Sequence, residues 1–274
     1  MSSSNGREYN KSHRKNVMSK VHFVTFGCDN VFKLSRQRLA NEAKESGWFD
    51  KIFVYGPESL SKYNRSFNSR GAGYWWWKAT VQSLALSQID DGDLLLYLDA
   101  GFYINKYAKN VFDQYVDIVK NNAGFLALNC HGSTEKKWTK RDLFKLLECD
   151  VPEYTDSDQV AAGLVMYRKN DLSIKFLQEY QTVSLINHAM DDHPSYNQNY
   201  EGFIEHRHDQ SVFGLLVKKL YKNQNISLID YDRSYADEIE LVKKWMMDKT
   251  TTGIEDLKHP FHATRINDMK FQWT

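Results

Sequence analysis

Apolar residues recur along the chain in two periods, and stretches of the two kinds take turns. Val21-His-Phe-Val-Thr-Phe-Gly27 predicts a first strand ending at Gly27. Val31, Leu34, Leu39 and Ala43 then share one face of a helix that closes at Gly47, as a helix C-terminal glycine should. Lys51-Ile-Phe-Val-Tyr55 predicts a second strand, ended by Gly56-Pro57. A strand-helix-strand opening implies parallel strands and a right-handed crossover. The polar, basic segment from Tyr63 to Gly73 reads as a loop over the carboxyl edge of the sheet. Val81, Leu84, Ala85 and Ile89 mark an amphipathic helix, Asp90-Asp-Gly92 a tight turn, and Leu94 to Leu98 a strand covered on both faces.

The alternation continues downstream. Val111, Tyr115, Ile118 and Val119 predict a helix, Gly124 to Leu128 a strand, and Glu135 to Glu148 a charged helix resting on Leu143, Leu146 and Leu147. Gln159 to Tyr167 reads as a small-residue turn entering a strand, and Ile174, Leu177 and Tyr180 begin a helix running to about Ile186. Asp191 to Gly202 is a long loop rich in Asn, Asp and Tyr, a kind that is often functional in compact domains. Glu205-His-Arg-His-Asp-Gln-Ser211 enters a helix with Val212, Leu216 and Leu220 inward, and Ile226 to Ile229 is a short final strand. The class is α/β, with an open, mostly parallel sheet flanked by helices. No repeat or linker divides the chain, so residues 21–274 read as one domain behind a polar, disordered arm, residues 1–20.

With 274 residues, 42% hydrophobic and 14% aromatic, the chain can bury a large core. A formal net charge of +1 argues against a general nucleic-acid binder, which would be strongly basic. Cys28, Cys130 and Cys149 lack metal-ligand spacing and cannot all pair, which suits a reducing compartment. The longest apolar stretch is broken at Asp99, far short of the roughly 20 residues that span a bilayer. Any membrane contact is therefore expected to be peripheral. The first twenty residues lack the apolar centre of a secretory signal.

Candidate chemistry gathers at a few places. Asp99 stands where the central apolar run stops, and ligands of open α/β sheets sit outside the carboxyl ends of strands. Its carboxylate either faces a pocket or only turns the chain. Asp209 precedes a strongly periodic helix, either as its N-cap or as an acid aimed into a pocket with His206 and His208 beside it. The His-x-His-Asp run also raises a metal cluster, although adjacent residues on regular elements face different ways. Trp75-Trp76-Trp77 is core or, in part, a platform for stacking on a sugar or base. Arg70 and Lys78 flank it with positive charge, and Arg265 with His259 and His262 forms a second cationic cluster suited to phosphate. Together these are the parts that a sugar joined to a diphosphate requires.

Several motifs occur in a familiar order. Gly71-x-Gly-Tyr-Trp-x-Trp-Lys78, Gly92-Asp-Leu-Leu-Leu-Tyr-Leu-Asp-Ala-Gly101 and Glu205-His-Arg-His-Asp-Gln-Ser211 resemble those of a group of bacterial and large-DNA-virus glycosyltransferases. Glu135-Lys-Lys-Trp-Thr-Lys140, Gln159 with Ala162-Gly163, and Phe261-His-Ala-Thr-Arg265 extend the resemblance over most of the chain. It implies the GT-A (nucleotide-diphospho-sugar transferase) fold, a Rossmann-related sheet. It also implies transfer of a sugar from a nucleotide-sugar donor, UDP-linked by default, to a hydroxyl of a glycan. The expected setting is the cytoplasm of a bacterium or of a virus-infected host cell.

The resemblance assigns roles by position. Asp99 matches the first acid of an Asp-x-Asp motif, which holds Mn²⁺ or Mg²⁺ against the donor diphosphate, while Gly101 stands where the second acid normally does. His262 is similar to a C-terminal His that completes such a metal site. Thr25, Phe26, Gly27 and Tyr55 would cradle the nucleotide, with Arg70, Trp77, Lys78, Ala100, Gly101, Gln159 and Arg265 completing the donor site. Asp209 matches the acid that addresses the acceptor or the reacting sugar: a catalytic base if the enzyme inverts, which is the expectation, and a sugar-positioning group if it retains. His206 and His208 would meet the acceptor. Two other readings use the same residues. One is a non-catalytic nucleotide-sugar or glycan-binding module, favoured by the missing acid at Gly101. The other is a metal-dependent phosphohydrolase built on His206, His208 and Asp209.

Overall fold

Six strands of the computed structural model line up in the order β2-β1-β3-β6-β5-β7. They are β1 (Val21–Phe26), β2 (Lys51–Tyr55), β3 (Leu94–Leu98), β5 (Phe125–Thr134), β6 (Asp158–Arg168) and β7 (Ser227–Ile229). Two short strands, β4 (Tyr103–Ile104) and β8 (Phe261–His262), pair separately and antiparallel. The structure describes residues 19–231, 234–249 and 251–265. Most of the expected arm, and the tail carrying Phe271 and Trp273, lie outside the described residues.

β1 runs parallel to β2 and β3, and β7 parallel to β5, while β6 runs antiparallel to both β3 and β5. The sheet is thus mostly parallel, as expected, with one reversed strand whose direction no periodicity reveals. The Asp29–Ser46 helix ends at Gly47 with φ of 67°, the left-handed conformation that a glycine adopts without steric penalty. Two expectations change. The charged helix is two short ones, Glu135–Trp138 and Arg141–Leu146, separated at Thr139 and Lys140. A Ser234–Met247 helix, which the apolar pattern did not assign, follows β7.

The side-chain period of two sorts β3 between two cores. Leu94, Leu96 and Leu98 pack with the Asp29–Ser46 and Lys109–Asn121 helices through Leu39, Ala43, Phe112 and Val119. Leu95 and Tyr97 pack on the other face with the Trp77–Leu86, Asp171–Ser184 and His208–Leu220 helices. Burying each such leucine contributes about 1.5–3 kcal/mol. The consequence for function is directional. Asp99 continues the Leu95-Tyr97 series, so it emerges at the carboxyl edge on the face that carries the helices bearing Lys78 and Asp209.

Candidate active site

Three elements bring one charged side chain each to a single point. Asp99 extends from β3, and its backbone N–H donates to the Gly163 carbonyl (2.9 Å) on β6. The Tyr97 hydroxyl donates to Asp99 Oδ1 at 2.6 Å. Lys78, in the first turn of its helix, places Nζ 3.0 Å from Asp99 Oδ1, 3.2 Å from Oδ2 and 2.6 Å from Asp209 Oδ2. Asp209 sits in the first turn of the His208–Leu220 helix; Arg207 takes the N-cap position, and the Asp209 side chain is spent on Lys78 instead. The Lys78 and Asp209 side chains are 3% and 9% exposed, whereas that of Asp99 is 37% exposed. The cluster therefore meets solvent through Asp99.

Each group shifts its neighbours. Burial alone would push the Lys78 ammonium down, but the Asp209 and Asp99 carboxylates outweigh it and hold the ammonium above its ordinary value. Burial raises Asp209; Lys78 pulls it back, Asp99 pushes it up again, and the net is a carboxyl above the usual range. Lys78 stays charged because it faces two acids, and Asp209 stays basic because burial, reinforced by the charge of Asp99, outweighs the pull of Lys78. Burial, then the charge of Asp99, raises the Tyr97 phenol well above its ordinary value, so it remains a donor.

Ahead of Lys78 the backbone turns left-handed for five residues. Gly71, Ala72, Gly73, Tyr74 and Trp75 have φ of 59°, 55°, 93°, 56° and 61°. For the three non-glycine residues this costs roughly 1–2 kcal/mol each. Tight packing holds the turn: Trp77 Nε1 donates to the Gly71 carbonyl (3.1 Å), and a Cβ at Gly73 would come within 2.7 Å of the Ser66 carbonyl. Trp76 and Trp77 are buried, while Trp75 is half-buried against His208, their rings 5.2 Å apart. His208 is itself left-handed, with φ of 48°. Strain of this kind persists only where the surroundings over-determine it. Here the strained turn and the strained start of the Asp209 helix brace each other, which fixes Lys78 relative to Asp209.

The other expected donor residues divide into those near this point and those occupied elsewhere. Gly101 accepts from the Arg265 N–H (3.0 Å) and the Thr264 hydroxyl (2.9 Å), so the backbone at Arg265 is tied to the turn that follows β3. Arg70 is half-exposed and 3.6 Å from Asp192. Phe26 is buried under Trp77, ring centroids 4.0 Å apart. Thr25 is fully buried and donates to the Leu98 carbonyl (2.9 Å), joining β1 to β3 and leaving no free hydroxyl proton for a nucleotide. Gln159 is equally buried, between Glu135 (3.0 Å) and Gln210 (2.8 Å). Tyr55 turns its hydroxyl to Gln88 (2.7 Å). The Gly27 and Tyr55 carbonyls both accept from Arg36 (2.8 Å each), and the Ala100 carbonyl from Arg38 (3.1 Å).

A cavity of about 670 Å³ is walled by the Asp191–Gly202 loop, with Lys140, Asp192, Tyr196, Asn197, Glu205 and His206 on its lining. Asp99, Lys78 and Asp209 do not line it, and its link towards them is Asp192, 3.4 Å from Nε2 of His208. His206 faces the cavity, but as a satisfied neutral ring: Nε2 bonds the Ala189 carbonyl (2.9 Å) and Nδ1 accepts from the Lys140 N–H (3.3 Å). Burial pushes its pKa down to about 3. His208 instead reaches the Met190 carbonyl (2.6 Å). His206, His208 and Asp209 therefore point at three different partners and do not converge on one ion, which removes the geometric basis for a phosphohydrolase.

His262 is taken away from its expected metal partner, Asp99. Its Nε2 lies 2.8 Å from Glu238 Oε2, and His259 Nδ1 lies 2.9 Å from the same oxygen. Among the described residues these three form the group spaced for a metal ion, and Asp99 is not in it. Sequence reasoning missed Tyr97, whose signal was available: it stands two residues before Asp99, hence on the same face of the strand. It also missed Arg36, Arg38 and Lys140, whose acceptors are largely backbone carbonyls.

Comparison with protein-family models and with curated proteins finds no match. Among solved structures, a glycosyltransferase involved in the glycosylation of the major capsid of PBCV-1 aligns at 9% identity and a TM-score of 0.46, over 88% of this chain and 93% of that one. The WbbM bifunctional glycosyltransferase aligns at 12% identity and 0.43, over 79% and 40%. Mouse xyloside xylosyltransferase 1 aligns at 11% and 0.41, over 79% and 89%. These three neighbours are glycosyltransferases, but likenesses so distant carry no functional argument; the geometry of the site has to carry it. Among the described residues, no helix is long and apolar enough to cross a membrane.

Proposed function

We propose that the chain is a GT-A-type glycosyltransferase that moves a sugar from a nucleotide-sugar donor, UDP-linked by default, to a hydroxyl of a glycan, with inversion. The observation that carries this reading is the meeting of Asp99, Lys78 and Asp209 at the carboxyl edge of the sheet. The motif resemblance supports it independently.

In this reading Asp209 is the general base. It takes the proton of the acceptor hydroxyl as that oxygen bonds to the anomeric carbon; the bond to the nucleoside diphosphate breaks, and its electron pair leaves with the phosphate. A positioned base of this kind is worth about 10²–10⁴-fold. Burial keeps Asp209 basic, and Lys78 holds it in place. Asp99, the exposed member, accepts hydrogen bonds from donor hydroxyls. Arg265, engaged by no acid among the described residues, meets the charge that develops on the leaving diphosphate.

One observation favours the non-catalytic alternative: the direct Lys78–Asp209 contact lowers the basicity of the proposed base. The test is thermal stabilisation by a panel of nucleotides and nucleotide sugars, followed by transfer assays. Binding to the native state alone contributes about 2.7 kcal/mol at 100 times Kd. Stabilisation by a nucleoside diphosphate, with transfer lost in Asp209→Asn, supports the enzyme. Nucleotide-sugar binding without transfer to any glycan supports the module, and stabilisation by no nucleotide overturns the enzyme and leaves only a glycan-binding module.

A further inference from the structure

An ion between Asp99 and Asp209 would need space and further ligands, and the residues provide neither. The space between the two carboxylates is filled by the Lys78 ammonium, 2.6 Å from Asp209 and 3.0 Å from Asp99. A second acid at position 101 is sterically opposed as well as absent: a Cβ there would lie 3.3 Å from Arg265 Cα, in a segment pinned by two hydrogen bonds to the Gly101 carbonyl. On the opposite flank Gly163 makes room for the carboxylate itself, since a Cβ there would lie 3.0 Å from Asp99 Oδ2, and it brings no side chain that could serve as a ligand. His262 is turned to Glu238. The two acids already share a fixed cation, so a dication entering between them would face the ammonium directly.

We propose that this centre binds its nucleoside diphosphate without a divalent ion, with Lys78 as the resident cation between Asp99 and Asp209. The identity of the ligand rests on the proposed transferase function; the exclusion of the metal rests on the packing alone. The cluster carries two acids and one base, so it cannot itself balance a diphosphate. That task falls to Arg265, which no acid engages among the described residues. Lys78 acts as a positioning residue that does for the two carboxylates what a metal would do, at ammonium rather than metal distances.

The experiment has two arms on the full chain. In the first, Mn²⁺ alone is titrated and its immobilisation followed by electron paramagnetic resonance in the wild type, Asp99→Asn and Lys78→Met. The expected wild-type result is no bound Mn²⁺ that disappears in Asp99→Asn. Mn²⁺ that survives Asp99→Asn but is lost in His262→Ala belongs to the Glu238 cluster and agrees with the inference. Lys78→Met, if circular dichroism shows it folded, should gain Mn²⁺ between the freed carboxylates. In the second arm, the wild-type Kd for UDP is measured in EDTA and in Mn²⁺. The expected values agree within about twofold, whereas a metal-carried diphosphate would lose at least about a hundredfold in EDTA.

Asp99-dependent Mn²⁺ in the wild type, or UDP binding that needs Mn²⁺, overturns the inference and leaves the transferase reading standing. Binding of no nucleotide under either condition sinks the transferase reading, and the first arm still decides the metal.

Discussion

Two lysines are buried to the same depth, each side chain 3% exposed, and they do opposite things. Lys140 Nζ is caged mostly by backbone: the carbonyls of His188 (2.7 Å), Asp191 (3.1 Å) and His193 (3.3 Å), plus Asp191 Oδ1 (3.0 Å). It ties the start of the Asp191–Gly202 loop to the break between two short helices. Lys78 meets carboxylates, on a strand end and on a helix start. A lysine that satisfies carbonyls holds the chain in place. A lysine that bridges acids holds groups that can exchange protons and bonds with a ligand. The difference teaches that burial of a charge does not by itself mark a site; the chemistry of its partners does.

The sharpest contrast comes from giving both lysines the same change. Lys78→Met should cut transfer by about 10²–10⁴-fold, because the proposed base, Asp209, loses the cation that holds it in place. Its kcat should fall far more than its KM for the acceptor changes. Lys140→Met should instead cost about 3–5 kcal/mol in urea unfolding, since Asp191 and three carbonyls lose one shared donor. The folded fraction should keep its nucleotide affinity. Equal losses of kcat in the two variants would break the distinction.

Acid should separate the two regions next. The Lys140 backbone N–H depends on neutral His206, whose pKa falls from 6.5 to about 3 on burial. A folded value below the unfolded one means that the unfolded chain takes up a proton the native state refuses. This contribution is complete above pH 6.5 and is lost as pH falls towards 3, at about 1.4 kcal/mol for each pH unit. His206→Asn should flatten that part of the Tm profile, and an unchanged profile would contradict the burial argument.

The same contrast explains what the amino-acid pattern could and could not disclose. The strands, the glycine at 47 and the acid at 99 were legible because apolar period and turn chemistry act within a few residues. Tyr97 was legible in principle, by counting two back from Asp99. The left-handed run at 71–75 was only hinted at by its two glycines, since Ala72, Tyr74 and Trp75 adopt that conformation against their own preference. Lys140 looked like one more charge on a solvated helix, because the carbonyls that cage it leave no mark in a sequence. Thr25 and Gln159 looked available to a ligand because polar groups near strand ends often are. Bonds to Leu98 and Glu135, 73 and 24 residues away, consume them. His262 was drawn to Asp99 on resemblance, while its actual partner, Glu238, lies in a helix that the apolar pattern left unassigned.

The smallest expected effect bears on the cavity that Lys140 shapes. Tyr196 is 86% exposed, with its ring 4.3 Å from that of His188 and its backbone N–H on Asp142 (2.7 Å). Asp142 also accepts from the Asn197 N–H (2.9 Å), and it lies 2.7 Å from His188 Nε2, so the loop conformation does not depend on the phenol. A large aromatic ring held out in water at the rim of a polar cavity is a surface on which a sugar can stack. Tyr196→Ala should therefore leave stability within about 0.5 kcal/mol. It should weaken a glycan acceptor by about 0.5–1.5 kcal/mol, seen as a higher KM at unchanged kcat. Tyr196→Phe should restore the KM, because stacking needs the ring and not the hydroxyl. A variant that lost stability and kept its KM would make Tyr196 part of the scaffold around Lys140, and would move acceptor recognition to the other wall, at Glu205 and His206.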